Sequence, residues 1–383
     1  MRVLSPRTRA LVGFAALGVF WGSWGAALPA VQRRSGASDA ELGLALLLVA
    51  FGALISMRAS GVVIDRLGPR FTPAAVGVFG VSGVLPGLAG APLELSVVLF
   101  VLGATSGAMD VAINADAVHA EESSGRPLLN LAHAFFSGAV VCSSLATGLL
   151  RWQGAEPVAV FALAGIVVVL AAFAMRTEST RSWTPAPVEE RPRLLQRVPI
   201  WLLTLGLLGA VAYWVENTWQ SWGAVHLERT LDAEPVVSAL GPAIFATAMT
   251  IGRVTVHRFS HLWAERAILV AGAIVAGIGT ALAAAAPVVP VALTGIVVAG
   301  AGCSVCGPTI VSIVGRAAAP HERATAIGSL TTIMYLGFLV GPAAVGGVAE
   351  LTTLRISIGV VAALAFVLAL LFAVVRLPAP RSG

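Results

Sequence analysis

Twelve stretches of the 383-residue chain are apolar enough to form helices in hydrocarbon. They fall at about 10–30, 41–57, 71–90, 93–117, 129–150 and 156–175, and then at about 199–224, 235–256, 267–286, 288–314, 324–349 and 353–375. A membrane-spanning helix takes roughly 17–25 such residues. Between the sixth and seventh runs lies "RTESTRSWTPAPVEERPRLLQR", residues 176–197, which is charged and contains Pro185, Pro187 and Pro192. It cannot span a bilayer and reads as a linker. The pattern therefore predicts an all-α membrane protein of twelve transmembrane helices in two six-helix bundles. The first bundle is residues 1–175, the linker 176–198, and the second bundle with a short tail 199–383. The basic start and apolar core of the N-terminus resemble a secretory signal. Its length, and the runs that follow, make it the first span instead.

Composition supports this reading. Hydrophobic residues make up 57% of the chain and charged ones 11%, with a mean hydropathy of +0.90, whereas soluble domains carry about 25% charged residues. The net charge of +5 would suit a nucleic-acid partner, but the arginines follow the topology instead. With the N-terminus inside, only Arg33, Arg34, Arg151, Arg229 and Arg355 of the 24 basic residues fall outside. That is the positive-inside pattern, and it predicts a multi-pass protein of the cell membrane with both termini cytoplasmic and no nucleic-acid partner. Cys142, Cys303 and Cys306 lie in apolar runs. Cys303 and Cys306 form a CxxC with no second pair, so they read as small packing residues, and no metal is expected. The loops beginning "GVVIDRLGPR" and "GRVTVHRFSHLWAER" each open on a glycine, Gly61 and Gly252, and carry an arginine pair. Their spacing is half the chain, as in transporters built from two parallel repeats.

"GVVIDRLGPR" resembles the signature of the major facilitator superfamily, with Gly61, Asp65, Arg66, Gly68 and Arg70 at the signature positions. The resemblance implies a cytoplasmic gating loop between helices 2 and 3 that latches the two halves in one state. "GAMDVAINAD", "GRPLLNLAHAFFSGAV" and "VENTWQSWGAVHL" are similar to the fucose-permease-like branch, nearest its YbjJ-like members, over almost the whole chain. That branch carries an acid and an asparagine in helix 4, here Asp110 and Asn114. It also has Asn-x-x-His before helix 5, here Asn130 and His133. Two departures stand out. Helix 1 has no acid, with Gly25 near that place, and the Gly-Pro motif of Gly337, Gly341, Pro342, Gly346 and Gly347 lies in helix 11 rather than helix 5.

The resemblance implies that helices 1, 4, 7 and 10 line a central cavity, and the polar residues gather on those runs. Asp110 and Asn114 share a face by i,i+4 spacing. Glu216, Trp219, Gln220 and Gly223 are expected on one face of helix 7, Trp21 and Trp24 on helix 1, and Cys303, Ser304 and Thr309 on helix 10. An ionised carboxylate inside a span costs about 2.5–3.5 kcal/mol or more, which marks it as a functional candidate. Asp110 and Glu216 are expected to bind a proton or solute, with His133 as a relay or an anchor of helix 5. Glu216 with Trp219, Gln220 and Trp222 is expected to form a sugar-like site of aromatic faces and hydrogen-bonding groups, and Trp21, Trp24 and Asn114 join the substrate-binding set. Structural readings stand beside these: Asp110 satisfied by Asn114 or His133, the tryptophans as an interfacial belt, and Asn130 and His133 as caps. Asp116 is expected to be solvated. His257 takes the place of an acid in the second-half loop, and His321-Glu322-Arg323 reads as an ordinary loop.

The expected function is secondary active transport of a small polar solute, coupled to protons, by a monomer without a cofactor. The alternatives are a multidrug or natural-product exporter of the same superfamily and, remotely, a non-transporting sensor. No nucleophile–base pair, metal set or GxxxxGK[ST] loop argues for an enzyme or a primary pump.

Overall fold

The computed structural model describes residues 4–176, 198–259, 263–319 and 322–379. The linker, His321 and the side chains of Gly61, Asp65, Arg66 and His257 lie outside the described residues, and so do the expectations placed on them. The described residues form α1 (Pro6–Ser35), α2 (Asp39–Leu67), α3 (Phe71–Ser82), α4 (Pro92–Ser124), α5 (Leu129–Trp152) and α6 (Pro157–Ala174). These are followed by α7 (Ile200–Thr230), α8 (Leu240–Phe259), α9 (Glu265–Ala285), α10 (Val289–Ala317), α11 (Arg323–Leu351) and α12 (Leu354–Val374). No strand occurs among them. Among the described residues, eleven helices are long and apolar enough to cross a membrane.

The exception is α3, which gives way at Gly83 to a short 3-10 turn, Leu85–Gly87. Pro86 has no N–H to continue an α-helix, so the sequence expectation of one helix over 71–90 overshoots. Helix starts are built locally. Ser38 and Glu41 form a capping box on α2, and Ser5 and Thr353 cap α1 and α12. At the far end of α12, Arg266 of α9 donates to the carbonyls of Phe372 and Val375 at 2.9 and 2.8 Å, placing a cation where the helix dipole is negative.

The chain divides into two compact units. Unit 1 holds α1–α6 together with Glu234–Ala243, and unit 2 holds α7 and the chain from Ile244 onward. Within unit 1, Ser144 of α5 donates to Ala239 O at 2.8 Å. The units repeat one packing scheme. In unit 1 α1 packs on α5 and α3 on α4 and α6; in unit 2 α7 packs on α11 and α9 on α10 and α12. Many large apolar side chains point outward, among them Leu93, Leu170, Leu370 and Val374, as lipid-facing surfaces require.

In hydrocarbon the apolar surfaces gain little by meeting each other, so small residues that allow close approach hold helices together. Gly103 and Gly107 of α4 lie against Val49 and Ala53 of α2; a Cβ on Gly103 would sit 1.9 Å from Val49 O. In unit 2 a Cβ on Gly337 would sit 1.9 Å from Ala210 O, and one on Gly341 2.9 Å from Trp214 Cδ1. Gly346 is buried, whereas a Cβ on Gly347 would meet nothing within 4 Å. Close packing in the helix 11 motif thus occurs at Gly337 and Gly341 and not at Gly347.

Pro342 lies inside α11 and cannot donate to Phe338 O, its partner four residues back. Asn217 of α7 supplies the missing bond, Nδ2 to Phe338 O at 2.9 Å, while its Oδ1 accepts from Ser221 Oγ at 2.8 Å. Asn217→Ala is expected to destabilise the chain by about 1 kcal/mol, because it orphans a buried carbonyl. Thermal unfolding in detergent checks this. The loss should shrink in a Pro342→Ala background, where the helix supplies its own N–H.

Candidate functional site

In unit 1, Asn114 Nδ2 donates to Asp110 twice, to the backbone O at 2.9 Å and to Oδ1 at 3.2 Å. The i,i+4 pair expected on α4 is thus formed. Asp110 is half-buried, and among the described residues no cation pairs with it. His133 is not brought to it. That histidine is exposed and stands edge-on to Phe14 of α1, ring centroids 4.9 Å apart.

The start of α5 is not capped by Asn130 or His133. Glu121 of α4 does this across the turn, accepting from Leu128 N at 2.8 Å and Leu129 N at 3.1 Å. Arg7 of α1 holds the same turn through Arg126 O at 3.0 Å. Asp116, expected to be solvated, instead pairs with Arg9 of α1 at 3.0 Å, with its side chain only 22% exposed. Neither partner was legible as such, because the pairings join distant parts of the chain. The tryptophans of α1 divide: Trp21 is half-buried, while Trp24 is buried and stacks on Phe161 of α6 at 5.9 Å.

In unit 2, Glu216 is 8% exposed. Its Oε1 accepts from Gln220 Nε2 at 3.0 Å and lies 3.9 Å from Arg253 Nη2. Arg253 sits inside α8, although the sequence reading counts it among the loop arginines that follow the eighth span. It is the cation that sequence reasoning missed. Its signal was its place directly after Gly252, the glycine that answers Gly61 half a chain away; Ser304 of α10 packs so closely on Gly252 that a Cβ there would lie 2.3 Å from Ser304 Oγ.

Trp219 does not join Gln220. Its indole is fully buried and donates from Nε1 to Thr280 Oγ1 of α9 at 3.1 Å. It also stands edge-on to His226, whose Nε2 bonds Ala283 O at 3.0 Å. Because α-helical residues advance by about 100°, adjacent positions 219 and 220 point to different neighbours, and the single face expected of helix 7 splits. Trp222 is also fully buried. Gly223 is buried beside Trp219, where a Cβ would lie 3.6 Å from Trp219 Cε3. On α10, Cys303 and Cys306 are buried free thiols, and Ser304 donates to Ala301 O at 2.6 Å. No cluster of three metal-ligating side chains occurs among the described residues.

Beside this site, α8, α9 and α10 line an open-mouthed cavity of about 390 Å³ that includes Arg253, Glu265, Ser304, Thr309 and Arg316. Arg70 of the loop after α2 is exposed, and Gly68 turns there with φ of 56°, a conformation that favours glycine.

The chain is similar to known transporters over nearly its full length. The family model described as Major Facilitator Superfamily matches residues 10–263 and 221–383. An uncharacterised MFS-type transporter of Yersinia pestis is 30% identical over 94% of this chain and 93% of its own. An uncharacterised transporter of Sinorhizobium fredii is 30% identical over 96% and 98%, and the membrane protein MosC of Rhizobium meliloti 27% identical over 92% and 84%. The fold matches the crystal structure of the nucleoside transporter NupG, with a TM-score of 0.78 at 16% identity, covering 96% of this chain and 98% of that one. It also matches a D-xylose-proton symporter, with a TM-score of 0.73 at 14% identity over 98% and 97%. Fold and sequence together make this chain a multi-pass membrane transporter that belongs to the Major Facilitator Superfamily.

Proposed function

We propose that the chain is a proton-coupled secondary transporter of a small polar solute, working by alternating access as a monomer in the cell membrane with both termini cytoplasmic. The observation that carries this is Glu216, a buried carboxylate held by Gln220 alone at hydrogen-bond distance, with Arg253 farther off at 3.9 Å. Such a group is costly to keep inside a span unless it works. A proton on Glu216 removes its charge and loosens its tie to Arg253, which links proton movement to rearrangement of the site. Asp110, held among the described residues only by Asn114, is the corresponding group of unit 1. Gln220 and Asn114 supply further polar contacts, and Trp21 the aromatic one. Placement within the fucose-permease-like branch belongs to this reading, and the nucleoside and xylose transporters of like fold are consistent with a polar solute. Export of apolar compounds, which an aromatic-lined cavity would favour, loses ground because Trp24, Trp219 and Trp222 are buried in packing.

The test compares small molecules inside and outside cells that overexpress the chain, lack it, or carry Asp110→Asn. A polar compound whose distribution follows the chain, and which the Asp110→Asn cells handle like the deletion, is the expected result. An Asp110→Asn chain that still concentrates its solute would remove the coupling role of that residue.

A further inference from the structure

We propose that the cavity between α8, α9 and α10 holds the oxyanion group, a carboxylate or phosphate, of a small solute, and that Arg253 is the residue that grips it. This rests on reading Glu216 as part of the solute site and adds to it the charge class of the solute.

The volume of about 390 Å³ falls within the range of small-molecule sites, roughly 300–1,000 Å³. The two arginines that line the cavity differ. Arg316 is already engaged, in an ion pair with Glu265 and as donor to Ser312 Oγ at 2.6 Å. Arg253 makes no hydrogen bond among the described residues. Its nearest partner, Glu216 Oε1 at 3.9 Å, lies beyond hydrogen-bond range. Its side chain is 51% exposed, so its fork of N–H donors is open to a ligand. A planar guanidinium matches the two oxygens of a carboxylate or phosphate, which a point charge does not.

The rest of the lining mixes apolar Val256, Ile268, Val305 and Pro308 with Ser304, Thr309 and Ser312, which suits a solute with a small apolar body and few hydroxyls beside that group. Thr309 has no hydroxyl partner among the described residues. Pro308, inside α10 on the same wall, has no N–H to donate to Ser304 O, so the helix lacks that hydrogen bond. The charges point the same way. Arg316 and Glu265 offset each other, so among the described residues Arg253 is answered only by Glu216. Glu216 is thus an internal carboxylate standing where a solute oxyanion would compete for the same guanidinium.

The experiment follows thermal unfolding of the purified chain in detergent, titrated with sodium acetate, inorganic phosphate or sodium chloride at matched ionic strength. A saturable rise in Tm with acetate or phosphate, absent with chloride, is expected; which of the two acts identifies the oxyanion. Arg253→Gln should weaken the half-saturating concentration at least about tenfold, as loss of a charge-assisted pair implies, and Arg253→Lys should fall between. Arg34→Gln, which removes a surface guanidinium facing Glu156, should leave it unchanged. Glu216→Gln should tighten binding by removing the competitor. No saturable shift in the unmodified chain, or an equal shift in Arg253→Gln, overturns the proposal. If Arg253→Gln does not fold, the Lys variant carries the comparison: binding equal to that of the unmodified chain overturns the grip assigned to the guanidinium. Binding without coupled transport overturns the transport reading alone. Coupled transport of an uncharged solute, with no oxyanion shift, overturns this one alone.

Discussion

Glu216→Gln, reconstituted into vesicles, is expected to lose accumulation of solute against a gradient while still exchanging labelled solute across the bilayer. The substitution keeps the shape and keeps Oε1 as the acceptor for Gln220 Nε2, which donates at 3.0 Å. What it removes is the proton site and the charge facing Arg253. For a monoanionic solute carried with one proton no net charge moves, so the drive is the proton gradient, and one pH unit, about 1.4 kcal/mol, supports roughly a tenfold concentration ratio. The variant should therefore fall from that ratio to about unity under an imposed pH gradient without a membrane potential. Exchange needs only binding and the conformational change, so it should persist. Continued accumulation by Glu216→Gln would move the coupling site elsewhere, and loss of exchange as well would make Glu216 a structural residue.

Gly103→Val is expected to cost more stability than any polar change in the protein. Its Cβ would have to occupy a point 1.9 Å from Val49 O, 2.6 Å from the carbonyl carbon and 2.8 Å from the Cα. All three are backbone atoms of α2, so no side chain can turn aside. Overpacking a core side chain costs about 1–3 kcal/mol; here a whole helix must move, along the most extensive contact of unit 1. The expected result is aggregated or degraded protein, seen as loss of the monodisperse peak on size-exclusion chromatography. Gly138→Ala is the control, since a Cβ there meets nothing within 4 Å. It should be neutral or slightly stabilising, because alanine is the better helix former. A folded Gly103→Val with unchanged Tm would mean that α2 and α4 are not held by this contact.

Much of the fold was legible because hydrocarbon imposes one demand everywhere: long apolar helices. The runs locate the helices, and the pair Asp110–Asn114 follows from spacing alone. What sequence did not disclose was partnership. Asp116 looks like a solvated end-of-helix acid until α1 brings Arg9 beside it. Glu121 looks like surface charge until the turn after α4 folds the α5 amides onto it. Arg253 was absorbed into the count of loop arginines, because charge asymmetry says which side a residue favours and not how deep it sits. Trp219 was grouped with Glu216 by spacing, yet helical spacing leaves its ring free to turn toward α9 and bond Thr280.

The bond from Asn217 to Phe338 O carries a consequence for how sequences of this kind can diverge. A proline at 342 is tolerable only while another helix lends a donor, and an amide at 217 is useful only while the proline withholds one. The two positions should therefore change together over evolutionary time: lineages that replace the proline become free to lose the asparagine, and the reverse order should be rare. A pair of residues from different helices, 125 positions apart in the chain, would then be inherited as a single character.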